Sequence, residues 1–564
     1  MEKTPLLGSL RVKQFVRKTT IVLWIGMVLG ACSADRIDRD PQESSWFSEE
    51  STDRGITFVH SSGFRSVPLL PEINGSGVAL ADLNGDGWID IYLVQSGSLY
   101  EDEADQWQNE LYFNQQNGRF AKASSSNGAG DSGYGMGIAA GDYDNDGDVD
   151  LYVTNVGPNV LLANDGTGSF EDVSVEAGVD DPSFSSSATF QDFDRDGNLD
   201  LFVANYVNWN INSEVECYEG GIRSYCPPER YASPATNRLY RNNGDGTFTD
   251  YSEESGINKE SGHSFGVVSA DFNSDGLMDF YVANDRTPNE LWINRGNLRF
   301  VNAAESYGVA ADGYGLVKAG MGVATKDYDH DGDFDLLVVN LVGETDTFFR
   351  NEGTYFSDVT SKTGLNTATS RYTRWGVVLE DFDNDRKTDL YVANGGVYPS
   401  DLRTGDIYAE QNLLFAGQEE GSFVEVPLGN LRASQLIHTS RGCAVGDIDN
   451  DGGLDLVVVN RDAPPYLLLN NIKISGNWLS LDLRNGNGSS ALGTTLKYSV
   501  AGESRYEMVS RDGSFMSSSD ARVHIGLGNH EAITDLEVRW PDGQSESLGD
   551  FEANQFVVIQ QETD

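Results

Sequence analysis

One acidic loop recurs seven times along the 564-residue chain, and each copy runs directly into a β-branched or aromatic strand. Loop positions 1, 3, 5 and 9 are held by Asp82, Asn84, Asp86 and Asp90 in the first copy, and by Asp142, Asp144, Asp146 and Asp150 in the second. They are Asp192, Asp194, Asp196 and Asp200 in the third, and Asp271, Asn273, Asp275 and Asp279 in the fourth. The last three copies supply Asp327, Asp329, Asp331 and Asp335; Asp381, Asp383, Asp385 and Asp389; and Asp447, Asp449, Asp451 and Asp455. Starts are separated by 60, 50, 79, 56, 54 and 66 residues, a spacing that makes the chain an array of like modules. In GDYDNDGDVDLYV, residues 141–153, five aspartates fall within nine positions. Carboxylates this close repel one another, so the loop calls for a cation among them.

The spacing resembles the first half of an EF-hand calcium loop. It lacks the glutamate at position 12, which is Val153 in the second copy, and it is flanked by strands instead of helices. Hard oxygen ligands on a flexible loop select Ca²⁺. Side-chain oxygens at positions 1, 3, 5 and 9 and a main-chain carbonyl at position 7 are the expected donors, giving up to seven sites. The sixth copy departs: Arg386 replaces the glycine at position 6 and Lys387 sits at position 7, so that site is expected to bind weakly or stay empty.

Each repeat contains more than its loop. A small-residue strand precedes it (GMGIAAGD, SFGVVSAD, RGCAVGD), and a hairpin follows (NELYFN, NVLLAN, NRLYRN, NELWIN) that leads to a strand opening on phenylalanine. Four short strands in roughly 50 residues mark a propeller blade. These motifs resemble the FG-GAP or VCBS repeats of integrin α-chains, and their order is more similar to the cartilage acidic protein family of secreted repeat proteins. The phenylalanine strands begin at Phe120, Phe170, Phe248, Phe300, Phe356 and Phe423, one fewer than the loops. FSEESTDRGI, residues 47–56, is of the same type and precedes the first loop. It is expected to complete the last blade and close the ring, which removes an exposed strand edge. The expected fold is therefore all-β: a seven-bladed, integrin-α-like β-propeller with calcium loops over residues 46–472.

Residues 476–564 alternate as a small β-sandwich would, in WLSLDLRN, TTLKYSVAG, RYEMVS, ARVHIGLG, ITDLEVRW and FVVIQQ. NWLSLDL, Ala491–Gly493, HIGLG, VRWPDG and ANQ resemble the ASPIC/UnbV domain that follows such repeats in that family.

The chain carries 39 bases against 88 acids, a net charge of −49, which argues against nucleic acid and against anionic lipid as surface partners. Twenty-six of the acids stand at the loop ligand positions. The N-terminus reads as a targeting segment, with basic Arg11, Lys13, Arg17 and Lys18 before the short apolar run IVLWIGMVL. LGAC, ending on Cys32, resembles a bacterial lipobox. That resemblance implies a signal peptide at 1–31, lipidation of Cys32, a linker at 32–45, and a lipid-anchored place in the bacterial cell envelope; Ser33 after the cysteine points to the outer membrane. Membrane attachment is then through Cys32 alone. An oxidising compartment makes a Cys217–Cys226 disulfide the expected state, and Cys443 is read as a buried apolar residue.

In a propeller blade the metal loops fall on one face, and the long insertions at roughly 94–108, 206–236 and 394–411 fall on the other. Calcium is thus expected to be structural, with recognition on the opposite face. Trp209 and its neighbouring tyrosines in the second insertion suit a sugar or a protein partner. At the starts of the innermost strands stand His263, Lys318, Arg374, His438 and Arg441, with Glu72 in the comparable place of the first blade. Two accounts are open: they pair with neighbouring carboxylates or line a solvated pore, or they form an anion site for a uronate or sulfated sugar. No histidine falls in a metalloprotease motif and no nucleophile elbow is present. The reading is a surface-anchored recognition or adhesion protein, with a propeller hydrolase or lyase acting on acidic polysaccharide as the alternative.

Overall fold

The computed structural model describes residues 46–562, except 101–105, 220, 232, 400–404, 429–435 and 472–475. The predicted signal segment and Cys32 lie outside the described residues.

The repeats fold as seven four-stranded antiparallel sheets. The second shows the pattern: Gly135–Gly141, Asp150–Asn155, Val160–Asn164 and Phe170–Asp172, paired in sequence order. The first strands of successive sheets lie side by side, and that of the last, Ser440–Gly446, lies beside that of the first, Val78–Ala81. They are crowded enough to demand small residues. A β-carbon on Gly322 would stand 2.0 Å from the Trp375 carbonyl oxygen, and one on Gly137 would stand 2.2 Å from that of Ser186. Between sheets, the outward-facing residues form separate apolar layers, such as Phe193, Phe202, Phe280 and Trp292 between the third and fourth.

The outer strand of the seventh sheet comes from the N-terminal end. Phe47–Glu49 pairs antiparallel with Tyr466–Asn470, Phe47 opposite Asn470. Phe47 is fully buried and meets Phe382 edge to face at 5.5 Å.

The C-terminal region forms two sheets. One joins Val523–Gly528, Asn477–Arg484 and Gln555–Gln560, the last pair parallel; the other joins Glu503–Met508, Thr495–Val500, Ala532–Arg539 and Ser545–Glu552. Alternation along Thr495–Val500 turns Leu496, Tyr498 and Val500 inward, where they meet Leu479, Leu481, Ile533 and Trp540.

A polar segment of this region, Ser510–Asp520, fills the centre of the ring. It hydrogen-bonds to the first strand of every sheet. Ser518 exchanges backbone bonds with Val78 and Leu80, and Met516 accepts from Ile138 N–H and donates to Ser187 Oγ. Gly513 N–H donates to Val267, Ser514 exchanges two bonds with Val323, and Val377 N–H donates to Ser514 Oγ. Asp520 N–H donates to Val445. The inner edges of seven strands would otherwise leave backbone groups unpaired.

Candidate functional site: the acidic loops and the opposite mouth

All seven loops share one hydrogen-bonded turn. The position-1 carboxylate accepts the position-6 N–H at 2.6–3.1 Å in every copy. Five loops bring one oxygen from each of three carboxylates within 4.8 Å of one another: Asp142/Asp144/Asp146, Asp192/Asp194/Asp200, Asp327/Asp329/Asp335, Asp381/Asp383/Asp385 and Asp447/Asp449/Asp455. In the other two, position 3 is Asn84 or Asn273, a neutral oxygen donor.

The residues fit a hard divalent cation. Asp194 Oδ1 and Asp449 Oδ1 are buried with no hydrogen-bond partner, an arrangement costly without a positive ligand. Burial, reinforced by neighbouring carboxylates, pushes Asp142 and Asp192 up to about 7 and Asp90 up to about 8.

The position-9 aspartates have a second role that spacing did not reveal. Each is fully buried and uses both oxygens to fasten two strands. Asp90 accepts from Leu83 N–H at 3.1 Å and from Asn114 N–H at 2.8 Å, and the other six repeat the arrangement. The asparagine that ends each hairpin's first strand then reaches the preceding sheet. Asn164 Nδ2 donates to Leu83 O, Asn242 to Tyr143 O, Asn294 to Phe193 O, Asn351 to Phe272 O, Asn470 to Phe382 O and Asn114 to Ile448 O. The signal was present in the motifs YFN, LAN, YRN, WIN and FRN, and Gly417 takes this place in the sixth repeat.

Arg386 in the sixth loop adopts the glycine conformation, with φ +78°, and its N–H makes the standard bond to Asp381 at 2.7 Å. The turn is therefore kept, but Lys387 Nζ lies 2.7 Å from Asp385 Oδ2 and takes a ligand oxygen for itself. Arg241 similarly approaches Asp194 at 3.0 Å and Asp196 at 3.1 Å in the third loop.

The C-terminal sheets rest on these loops. Arg522 donates to the Asp447 carbonyl and to Asn450 Oδ1, both at 2.8 Å. His524 Nε2 lies 2.7 Å from Asn384 Oδ1, Asn487 donates to Asn145, and Arg539 is 3.9 Å from Asp271.

At the other mouth, the cations at the strand starts are paired, and the alternative of an anion site is corrected. Arg374 is fully buried, held by Asp346 at 2.7 Å and by the carbonyls of Leu341, Tyr372 and Glu344. Arg441 is fully buried over the Trp375 ring at 4.0 Å and donates to the carbonyls of Ile73, Gly395, Ser440 and Gly396. Lys318 is held by Thr345, Thr347 and Asp312, and His263 Nδ1 meets the Asp285 carbonyl. His438 pairs with the Tyr466 hydroxyl. Glu72 accepts Leu69 N–H, and burial pushes it up to about 8. Trp209 donates to Glu214 at 2.8 Å and packs edge-on against Phe184. These side chains are engaged by neighbouring carbonyls, hydroxyls and carboxylates, and the structure does not gather them round an opening.

What the mouth does contain is a cavity of about 460 Å³. Tyr206, Phe265, Met321 and Trp375 form its inner wall, and the hairpin closed by the Cys217–Cys226 disulfide hangs over it. Phe515, from the segment in the ring centre, packs behind Phe265 and Trp375 at 5.4 and 4.9 Å.

Comparison with known sequences agrees with this anatomy. The FG-GAP-like repeat pattern matches residues 82–153, 142–203, 231–282, 271–338 and 327–392, and the ASPIC and UnbV pattern matches 484–564. Cartilage acidic protein 1 of Homo sapiens is 28% identical over 321 residues, covering 55% of this chain and 46% of that protein. The Xenopus tropicalis protein is 27% identical over 318 residues, covering 54% and 46%. The chain thus spans about half the length of the curated relatives it matches. Among solved structures, an Agrocybe aegerita lectin recognising non-reducing terminal N-acetylglucosamine aligns with a TM-score of 0.37 and 15% identity, over 69% of this chain and 86% of that one. YCF48 bound to D1 peptide aligns with a TM-score of 0.39 and 7% identity, over 73% and 97%. From its repeats and its C-terminal domain, the chain belongs to the FG-GAP-like repeat family, and it carries an ASPIC and UnbV domain behind the repeats.

Proposed function

We propose that this protein is a calcium-stabilised recognition protein of the bacterial envelope, anchored through a lipid on Cys32, that holds its ligand at the mouth opposite the acidic loops. The observation that carries the reading is the aromatic-walled cavity there, of a size typical of ligand pockets. The loop face is engaged by the C-terminal sheets, which favours the opposite mouth for a partner. The unpaired loop carboxylates support calcium, and the Cys217–Cys226 bond suits an oxidising compartment. Among the described residues no helix is long and apolar enough to cross a membrane.

Glycan and peptide arrays probed with the calcium-loaded protein test the reading. Tyr218 is exposed and lines the cavity, whereas Tyr355 is exposed on a hairpin of the loop face. Ligands lost in Tyr218→Ala and kept in Tyr355→Ala support the mouth. Ligands lost only in Tyr355→Ala would move recognition to the other face.

A further inference from the structure

The cavity at the mouth has a specific chemistry. Six aromatic side chains face it: Tyr206, Tyr218, Tyr225, Phe265, Trp375 and Tyr398. Two of its lining residues each carry a buried polar atom with no hydrogen-bond partner, and the two are of opposite sense. Asn74 is 1% exposed and its Nδ2 is an unused donor; Asp285 is 6% exposed and its Oδ1 is an unused acceptor. The other Asp285 oxygen is fixed by the Tyr206 hydroxyl at 2.8 Å, so the free one has a set direction. Its nearest cation, Arg286 Nε, stands 3.9 Å away. Asn74 precedes the first sheet and Asp285 follows the second strand of the fourth, so they belong to distant parts of the ring.

An unpaired buried donor and an unpaired buried acceptor destabilise the protein until something completes them. A hydroxyl donates and accepts at once, so a ring bearing several hydroxyls can answer both while its apolar face lies on an aromatic wall. Charge sharpens the choice. The charged residues lining the cavity are Glu216, Glu219 and Asp285 against Arg230 and Arg286, which leaves no excess of positive charge. Arg374 and Arg441, the arginines nearest in sequence pattern to an anion site, are spent on Asp346 and on carbonyls. A carboxylated or sulfated sugar would meet three carboxylates here against Arg230 and an Arg286 already shared with Glu229 and Asp285.

Building on the recognition reading above, we propose that the mouth cavity binds a neutral sugar ring, its hydroxyls paired with Asp285 Oδ1 and Asn74 Nδ2 and its face stacked on the aromatic wall. The disulfide-closed hairpin holds Tyr218 over the site in advance, which lowers the ordering cost of binding.

The test is calorimetric titration of the calcium-loaded full chain with the methyl glycosides of glucose, galactose and N-acetylglucosamine, and with methyl glucuronide. The expected result is binding of at least one neutral glycoside at least tenfold tighter than the uronide. Asp285→Asn, which keeps the shape and can keep the Tyr206 contact, should weaken it tenfold or more without changing the melting temperature in calcium. Tyr218→Ala, at an exposed side chain, should weaken it several-fold and serves in place of Asp285→Asn if that variant melts lower. Equal or tighter binding of the uronide, no binding of any glycoside, or full affinity in these variants overturns the proposal. If no glycoside binds but a peptide on the arrays is lost in Tyr218→Ala, the sugar assignment fails while mouth recognition stands. If nothing bound on the arrays depends on Tyr218, both fail.

Discussion

A β-carbon on Gly77 would stand 1.5 Å from the carbonyl oxygen of Met516, although the two residues lie at opposite ends of the sequence. Residue 77 leads into the first strand of the first sheet, and residue 516 is in the segment that fills the ring. The contact is backbone against backbone, so no side chain can yield to relieve it. Gly77→Ala should lift that segment from the strand and cost about 1–3 kcal/mol, the usual scale for overpacking. Thermal unfolding would record the loss, and limited proteolysis should show new cleavage within 510–520. A variant that melts like the parent and resists protease equally would mean that the segment is not seated as described.

Calcium removal should lower stability by mass action. A site contributes about 2.7 kcal/mol when calcium is one hundred times its dissociation constant, and dissociation constants of about 0.1–1 mM are ordinary for extracellular sites. Melting in excess chelator should therefore begin well below melting in 10 mM calcium. Coincident curves would remove the cation from the account of these loops.

The sixth loop should be repairable. Lys387→Ala takes the ammonium away from Asp385 and leaves the Arg386 turn intact. Calcium titration should then show one more bound ion per chain, or a clear gain in affinity at one site. The same stoichiometry and affinities as the parent would mean that Lys387 is not what limits this loop.

Acid should destabilise the junction between ring and C-terminal sheets through His524. Burial lowers this imidazole to about 3 from an ordinary 6.5, with Lys326 and Arg522 adding to the effect. The unfolded state therefore binds the proton more tightly, and stability falls as pH drops from 6.5 toward 3. At pH 5 the loss from this group is about 2 kcal/mol. Unfolding measured from pH 7 to pH 5 in saturating calcium should show a steeper decline in the parent than in His524→Gln. Parallel declines would assign the acid sensitivity elsewhere.

Phe47 anchors the strand that closes the ring, beside its backbone ladder and the buried Trp46. Phe47→Ala removes a fully buried ring packed on Phe382 and should cost about 3–5 kcal/mol. Chemical denaturation should show a lower midpoint and an unchanged slope. A loss below about 1 kcal/mol would mean that the seventh sheet holds without its outer strand.

Much of this was legible in the chain because local chemistry repeats. The seven loops, the strand that follows each, and the unmatched phenylalanine segment at residue 47 all follow from spacing. What was not legible depends on contacts between distant segments. RDGSFMSSSD, residues 511–520, has the composition of a solvated turn, and only the unpaired inner edges of seven strands explain its burial. Arg374 and Arg441 stand at strand starts, where a cation ordinarily reaches water. The join at 341–346 folds its carbonyls over Arg374 and the third insertion folds Gly395 and Gly396 over Arg441, and a linear reading has no term for that. Ser545–Glu552 is a strand whose residues are at most half-buried, so it shows no apolar alternation. The loops disclosed their acidic clusters but not the strand-fastening of the position-9 aspartates, because a carboxylate whose two oxygens each accept an N–H looks the same in sequence as one that accepts none.

The segment that joins all seven sheets also sets a birth order. At about 5–20 residues per second, on the order of 30–100 s of synthesis pass before residue 520 exists, and until then every finished hairpin faces an empty axle. A chain wound around its own late-made spindle cannot mature one repeat at a time on the ribosome. It gains its native centre in a single late event, once residues 510–520 have been made and can pair with all seven inner strands.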